Sequence, residues 1–155
     1  MIKKRREECI VFLDDCFDTN TSFTILQNAG FTVERFRTHF PALDNKGNRE
    51  ADVKDSRVIH LCAQNGYLLL TTDREMKTTF IELLKQTDIA VLATANNNES
   101  DDIWAQRVSD KKARILRDFK KCERPYFSII QRSTEITVET LRSAMRTRRT
   151  RPSER

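Results

Sequence analysis

Two aspartates follow short apolar runs that are typical of buried strands. Asp14 comes directly after residues 10–13, and Asp73 comes directly after residues 68–72. The strands of an open parallel sheet end at one common edge, and ligands bind at that edge. We therefore expect these two carboxylates to lie close together although they are far apart in the chain.

A third aspartate is expected at the same place. Asp55 lies near the start of a helix predicted over residues 52–65, on the face that also carries Val58, Ile59 and Cys62. That face should pack on the sheet, and the first turn of a helix in a βαβ unit lies near the carboxyl ends of the strands. The sequence thus predicts three converging carboxylates, with Asp15 as a further ligand acting through a bridging water.

Converging carboxylates indicate a particular chemistry. Like charges raise one another's pKa unless a cation lies among them. Carboxylates that leave positions open for water suit Mg²⁺ or Mn²⁺. Such an ion can polarise a phosphoryl oxygen and activate a water for in-line attack on a phosphodiester, which is nuclease chemistry. The alternative is that each aspartate only caps a helix or turn.

The segments around these residues alternate between strand and helix patterns, which predicts βαβ units and a parallel sheet. We expect an α/β fold: a single-domain, three-layer α/β/α sandwich around a central, mainly parallel sheet. The predicted strands cover residues 9–13, 32–36, 67–72, 89–93 and 126–131, with a short strand or helix from 135. The predicted helices begin near Asn20 or Thr21, cover 52–65 and 73–86, and include one long helix from Asp101 or Asp102 with the apolar stripe Trp104, Val108, Ile115 and Phe119. Residues 37–52 read as a long loop.

Composition and charge narrow the class of protein. The 155 residues are 38% hydrophobic and 33% charged, and no apolar stretch approaches the roughly 20 residues that cross a bilayer. The four cysteines show no zinc spacing, so we expect reduced thiols in a cytoplasmic protein without membrane contact. Neither a signal peptide nor an exported protein is expected.

The formal charge of +5 is concentrated at the end of the chain. Residues 142–155 hold six arginines against Glu154 alone, which leaves residues 1–141 neutral. We expect residues 1–141 to form the domain and 142–155 to form a basic, disordered tail. Arg146, Arg148 and Arg149 in that tail, together with Arg74, are the predicted contacts to nucleic-acid phosphates.

The motifs resemble a known family. The segment 12–15, the segment 26–33, Asp55 and above all residues 66–76, Gly-Tyr-Leu-Leu-Leu-Thr-Thr-Asp-Arg-Glu-Met, resemble the PIN-like nuclease domains. The resemblance covers about residues 9–95. It implies a metal-dependent ribonuclease with a sheet of order 3-2-1-4-5 and with Asp14, Asp55 and Asp73 as metal ligands. It further implies the toxin of a toxin-antitoxin pair, with RNA as substrate, an antitoxin protein as partner and a possible homodimer.

A second family shares some of these features. Response-regulator receiver domains also begin with a strand that ends in paired acids, and residues 89–95 resemble their threonine-bearing strand. In that interpretation Asp73 accepts a phosphoryl group and Thr94 senses it. Two features count against it: residues 74–79 lack the proline-containing loop, and Arg132 stands near the place of the receiver lysine. A third alternative is a PIN-fold module that binds without catalysis.

Overall fold

The computed structural model describes residues 8–40, 55–96 and 98–141. These residues form six strands and seven helices around one sheet. The strands are β1 (Ile10–Leu13), β2 (Thr32–Arg35), β3 (Leu68–Thr71), β4 (Ala90–Thr94), β5 (Tyr126–Ile130) and β6 (Ile136–Thr140). The helices are α1 (Asn20–Asn28), α2 (Phe36–His39), α3 (Asp55–Asn65), α4 (Met76–Thr79), α5 (Ile81–Lys85), α6 (Asp101–Asp110) and α7 (Lys112–Lys121).

The sheet is mostly parallel, as predicted. Its strand order is β2-β1-β3-β4-β5-β6, and only the β5–β6 pair is antiparallel. The strands β1 to β5 therefore all end at one edge, which we call the carboxyl edge, and begin at the other, the amino edge. Because β6 runs back, Leu141 lies at the amino edge, where its N–H donates to the carbonyl of Pro125.

Apolar clusters lie on both faces of the sheet, as expected for a three-layer α/β arrangement. Alternate residues of β1 belong to opposite clusters: Val11 and Leu13 pack with residues of α1, α6 and α7, whereas Phe12 packs with residues of α3 and α5. The central strands are buried on both faces, which explains why β3 and β4 read as continuous apolar runs.

The strand order corrects one expectation. The order 3-2-1-4-5 implied by the PIN-like resemblance would place a third strand beyond the second, whereas β3 pairs directly with β1. Burial gives the physical reason. All four residues of β3 are buried and need neighbours on both sides, while β2 is half-exposed and suits the edge of the sheet.

Several element boundaries also differ from the predictions. Helix α1 begins at Asn20, as predicted, and the residue that caps it is Thr19, whose hydroxyl accepts the N–H of Ser22 at 3.1 Å. The helix predicted over 73–86 is two short helices that meet at Phe80, and the long helix is broken between α6 and α7 at Lys111. The start predicted for the third helix, at residue 52, lies outside the described residues. So do most of the loop predicted over 37–52 and the tail 142–155.

Two further findings concern the cysteines and the predicted lack of membrane contact. All four cysteines are free thiols. None of the described helices combines the length and the apolar character needed to cross a membrane.

Candidate functional site

Asp14 lies at the carboxyl edge, where β1 ends. Its own N–H continues the strand pairing by donating to the carbonyl of Leu70 at 3.0 Å. The carboxylate is only 8% exposed and accepts two hydrogen bonds. The hydroxyl of Thr71 donates to Oδ2 at 2.8 Å, and the backbone N–H of Asp15 donates to Oδ1 at 2.9 Å. Asp14 is therefore a buried acid held in one orientation by β3.

The surroundings of Asp14 favour its neutral form. Burial, together with the smaller effect of the charges of Asp55 and Asp15, raises the pKa of its carboxyl from 3.8 to about 6, against the two hydrogen bonds that lower it. The group therefore changes its charge close to neutral pH. Such a perturbation at a sheet edge is typical of functional sites.

Asp73 lies on the same edge, two residues beyond the end of β3. Its backbone N–H donates to the hydroxyl oxygen of Thr71 at 3.1 Å, and its Oδ1 accepts the N–H of Glu75 at 3.0 Å. The Thr71 hydroxyl thus contacts both Asp14 and Asp73. This shared partner, which is fully buried, fixes the spacing between the two acidic positions.

Asp55 reaches the site from the helical layer. It is the first described residue of α3, and it shares a face with Val58, Ile59 and Cys62, all of which are buried on the sheet as predicted. Burial raises the pKa of Asp55, and the charge of Asp73 adds to that rise. Asp55 therefore interacts electrostatically with both other acids. We call Asp14, Asp55 and Asp73 the carboxylate cluster.

No described cation neutralises this cluster. In residues 8–40, 55–96 and 98–141, neither a lysine, an arginine nor a histidine forms an ion pair with any of its three carboxylates. Over the same ranges, no three His, Cys, Asp or Glu side chains stand close enough together to hold one metal ion in their present rotamers. Like charges repel, so rotamers that separate the carboxylates are favoured unless a cation lies among them.

The remaining predicted residues have different positions. Asp15 is exposed and begins a single 3₁₀ turn, Asp15–Phe17, from which its backbone contacts Asp14. Arg74 is exposed beside Asp73 at the carboxyl edge. Arg146, Arg148 and Arg149 lie outside the described residues.

One charged cluster near the site has no counterpart in the predictions. Asp18 is buried, and its carboxylate accepts from Nε of Arg35 at 2.6 Å, and from the backbone N–H at 2.8 Å and Nε at 3.1 Å of Arg37. Burial opposes ionisation of Asp18, but these hydrogen bonds prevail and lower its pKa. The sequence does not predict this cluster, because Arg35 and Arg37 lie in β2 and α2, 17 and 19 residues beyond Asp18.

The residues relevant to a receiver domain are also engaged elsewhere. Thr94 is fully buried at the end of β4, and its hydroxyl donates to the carbonyl of Asn96 at 2.7 Å. Nε of Arg132 lies 3.2 Å from a carboxylate oxygen of Glu99, which also binds Arg107. In this arrangement neither side chain makes a contact with Asp73.

Comparisons of the chain with protein-family models, with curated proteins and with solved structures return no significant match.

Proposed function

We propose that this protein is a metal-dependent ribonuclease of PIN-like type. One observation carries the proposal: at the carboxyl edge, in addition to burial, the charge of Asp55 raises the pKa of Asp14 and the charge of Asp73 raises the pKa of Asp55, and none of the three carboxylates forms an ion pair with a described cation. Excess negative charge of this kind needs a cation, and an all-oxygen donor set suits Mg²⁺ or Mn²⁺.

The residues of the carboxylate cluster provide the type of ligand that Mg²⁺ or Mn²⁺ prefers. The cluster supplies three carboxylates: Asp14, which Thr71 holds in place, and Asp55 and Asp73, which would complete the ligand set. When bound, the metal supplies Lewis-acid activation of the phosphoryl group and of an attacking water. Asp14 contributes as a ligand only when ionised, so its raised pKa makes the site sensitive to acid. Asp15 and Arg74 would lie beside the substrate at this edge.

The identity of the substrate and the biological role rest on the sequence motif. The resemblance of residues 66–76 to PIN-like domains supports RNA as the substrate, a toxin role with an antitoxin partner, pairing into a homodimer and a cytoplasmic location. Arg146, Arg148 and Arg149 would add phosphate contacts from the chain beyond Leu141.

A receiver-like domain phosphorylated on Asp73 is the second candidate, and the strand order favours it. The order β2-β1-β3-β4-β5 is that of doubly wound domains of the flavodoxin and receiver type. The position of Asp55 favours the nuclease, because a charged third acid beside the phosphoryl acceptor would repel the phosphoryl group. The engagement of Thr94 and Arg132 with other partners also counts against a phosphorylation switch.

A Mn²⁺ titration with single substitutions separates the candidates. We expect Mn²⁺ binding by calorimetry and Mn²⁺-dependent cleavage of single-stranded RNA, both lost in Asp14→Asn and Asp73→Asn. Asp88→Asn removes an exposed aspartate distant from the cluster and should retain both. If a small phosphodonor instead phosphorylates Asp73 and RNA remains intact, the protein is receiver-like. If Mn²⁺ does not bind at all, the nuclease proposal is wrong.

A further inference from the structure

A basic groove lies at the amino edge of the sheet, on the side opposite to the carboxylate cluster. Its volume is about 400 Å³, and it lies between α7 and the starts of β1 and β2. Its charged lining consists of Lys112, Arg117, Lys120 and Lys121 against the single carboxylate of Glu8. The surface of the groove is therefore strongly positive, although residues 1–141 taken together carry no net charge.

Two of these charged residues, Lys112 and Glu8, contact the chain at the start of β2. Gly30 has φ +100°, and the end of the Lys112 side chain lies where a Cβ atom would be, so a larger residue there would displace this ammonium group. Lys112 also covers the ring of Phe31 at 5.9 Å. The carboxylate of Glu8 accepts the hydroxyl of Thr32 at 2.6 Å, which occupies part of its hydrogen-bonding capacity.

The spacing of the cations indicates what kind of anion fits. From Lys112 to Lys121 the cations extend over roughly 14 Å of helix, at about 1.5 Å per residue. One phosphate would need its cations converging on a single point. Cations spread along a groove suit a polyanion that carries several phosphates along its chain.

The surface chemistry favours nucleic acid over an acidic protein segment. Lysine is depleted in protein–protein interfaces, which are anchored by buried aromatic and apolar side chains. Within the described part of the chain, Ile103 is the single large hydrophobic residue with substantial exposure, and it does not line the groove. Sequence-independent single-strand binding combines a positively charged groove that follows the phosphate backbone with aromatic side chains that stack on the bases, and this groove supplies the first of these.

We propose that this amino-edge groove binds the phosphate backbone of single-stranded RNA, as an anchoring site separate from the site of cleavage. The choice of RNA rests on the proposed function, whereas the charge and shape of the groove do not. An RNA strand held here would be retained while another part of it reaches the carboxylate cluster.

The test measures binding of a fluorescent 12-nucleotide oligo-U to the full chain by anisotropy, with EDTA present so that metal and cleavage play no part. Each phosphate contact to a single strand contributes about 0.7 to the salt slope, or roughly fivefold in affinity at 0.1 M salt. Arg117→Gln/Lys121→Gln should therefore raise the Kd on the order of 20-fold and reduce the slope by about 1.4. The control Lys111→Gln/Arg132→Gln removes the same net charge outside the groove and should change the Kd less than threefold.

Three results would overturn the inference: no binding of oligo-U, an equal loss in both double variants, or a groove that binds a 12-residue poly-glutamate peptide but not oligo-U. Failure of the proposed function looks different. If the protein binds oligo-U through the groove in EDTA yet does not cleave RNA in Mn²⁺, the anchoring site stands and the nuclease proposal falls.

Discussion

The hydroxyl of Thr71 donates a hydrogen bond to Oδ2 of Asp14 at 2.8 Å, across the pairing of β1 with β3. The hydroxyl oxygen of Thr71 also accepts the N–H of Asp73 at 3.1 Å. One buried hydroxyl therefore orients the first acid and positions the backbone of the second. This contact gives the Thr-Thr-Asp segment at residues 71–73 a structural role that its sequence alone does not reveal.

Replacing this hydroxyl should change the ionisation of Asp14. Thr71→Val removes a hydrogen bond that favours the charged carboxylate, so we expect the pKa of Asp14 to rise above about 6. Loss of a hydrogen bond to a charged group should also lower the free energy of unfolding at neutral pH by about 2 kcal/mol. Titration of the carboxyl carbons by NMR measures the first effect, and urea unfolding measures the second.

Thr94→Val is the matched control for that substitution. Thr94 is equally buried, but its hydroxyl donates to a backbone carbonyl. We expect a loss of stability of about 1 kcal/mol without a change in the pKa of Asp14. An equal pKa shift in both variants would mean that Thr71 has no specific effect on Asp14.

Stability should decrease as the pH rises through the titration of Asp14. Its pKa is about 6 in the folded state and 3.8 in the unfolded chain, so the folded state retains the proton longer. The stabilisation by protonated Asp14 is complete below about pH 3.8 and lost as the pH rises through about 6, a change on the order of 3 kcal/mol. Asp14→Asn should flatten this slope and unfold at higher urea than the wild type at pH 7.5.

Two other aspartates with shifted pKa values also make stability depend on pH, and their contributions must be separated from that of Asp14. Asp55 has a raised pKa and contributes in the same direction, whereas Asp18 has a lowered pKa, so its stabilisation is lost only as the pH falls below the ordinary range for aspartate. Urea unfolding from pH 4 to pH 8 therefore gives the Asp14 contribution as the difference between wild type and Asp14→Asn. A wild type whose stability rises between pH 4 and pH 6.5 would contradict the prediction.

Divalent metal should reverse this pH dependence. Mn²⁺ competes with protons for the carboxylate cluster, so we expect it to raise the melting temperature at pH 7.5 and to have little effect at pH 5. Saturation at about 100 times the Kd corresponds to roughly 2.7 kcal/mol of stabilisation. Differential scanning calorimetry measures the shift. Asp73→Asn should abolish it and Asp88→Asn should not, and a shift of equal size at both pH values would point to a site elsewhere.

The buried ion pairs of Asp18 should matter for folding rather than for metal binding. Asp18→Asn leaves the guanidinium group of Arg35 partly buried without its counter-charge, and we expect a loss of about 3 kcal/mol in urea unfolding. The exposed pair of Lys77 with Glu139 is the comparison, since Lys77→Gln should cost under about 1 kcal/mol. Similar losses in the two variants would show that burial does not strengthen the dependence on Asp18.

The local patterns predicted the strands well and the helix breaks poorly. Buried strands such as β3 and β4 are short apolar runs, and such runs have few other stable conformations in a small α/β domain. The break at Lys111 could not be seen, because the stripe from Trp104 to Phe119 keeps helical spacing across it and neither glycine nor proline marks the position. The break at Phe80 has the same character.

The sequence by itself determined the alternation of strands and helices, and hence that Asp14 and Asp73 end at one edge of a parallel sheet. It also determined that Asp55 lies on the buried face of its helix, since helical periodicity is a local property. Only the tertiary structure decided which strands are neighbours, and therefore that Thr71 contacts both acids. It also decided that the cations of α7 line one groove together with Gly30 and the start of β2. Contacts between distant segments depend on how complete elements pack and not on the spacing of residues along the chain.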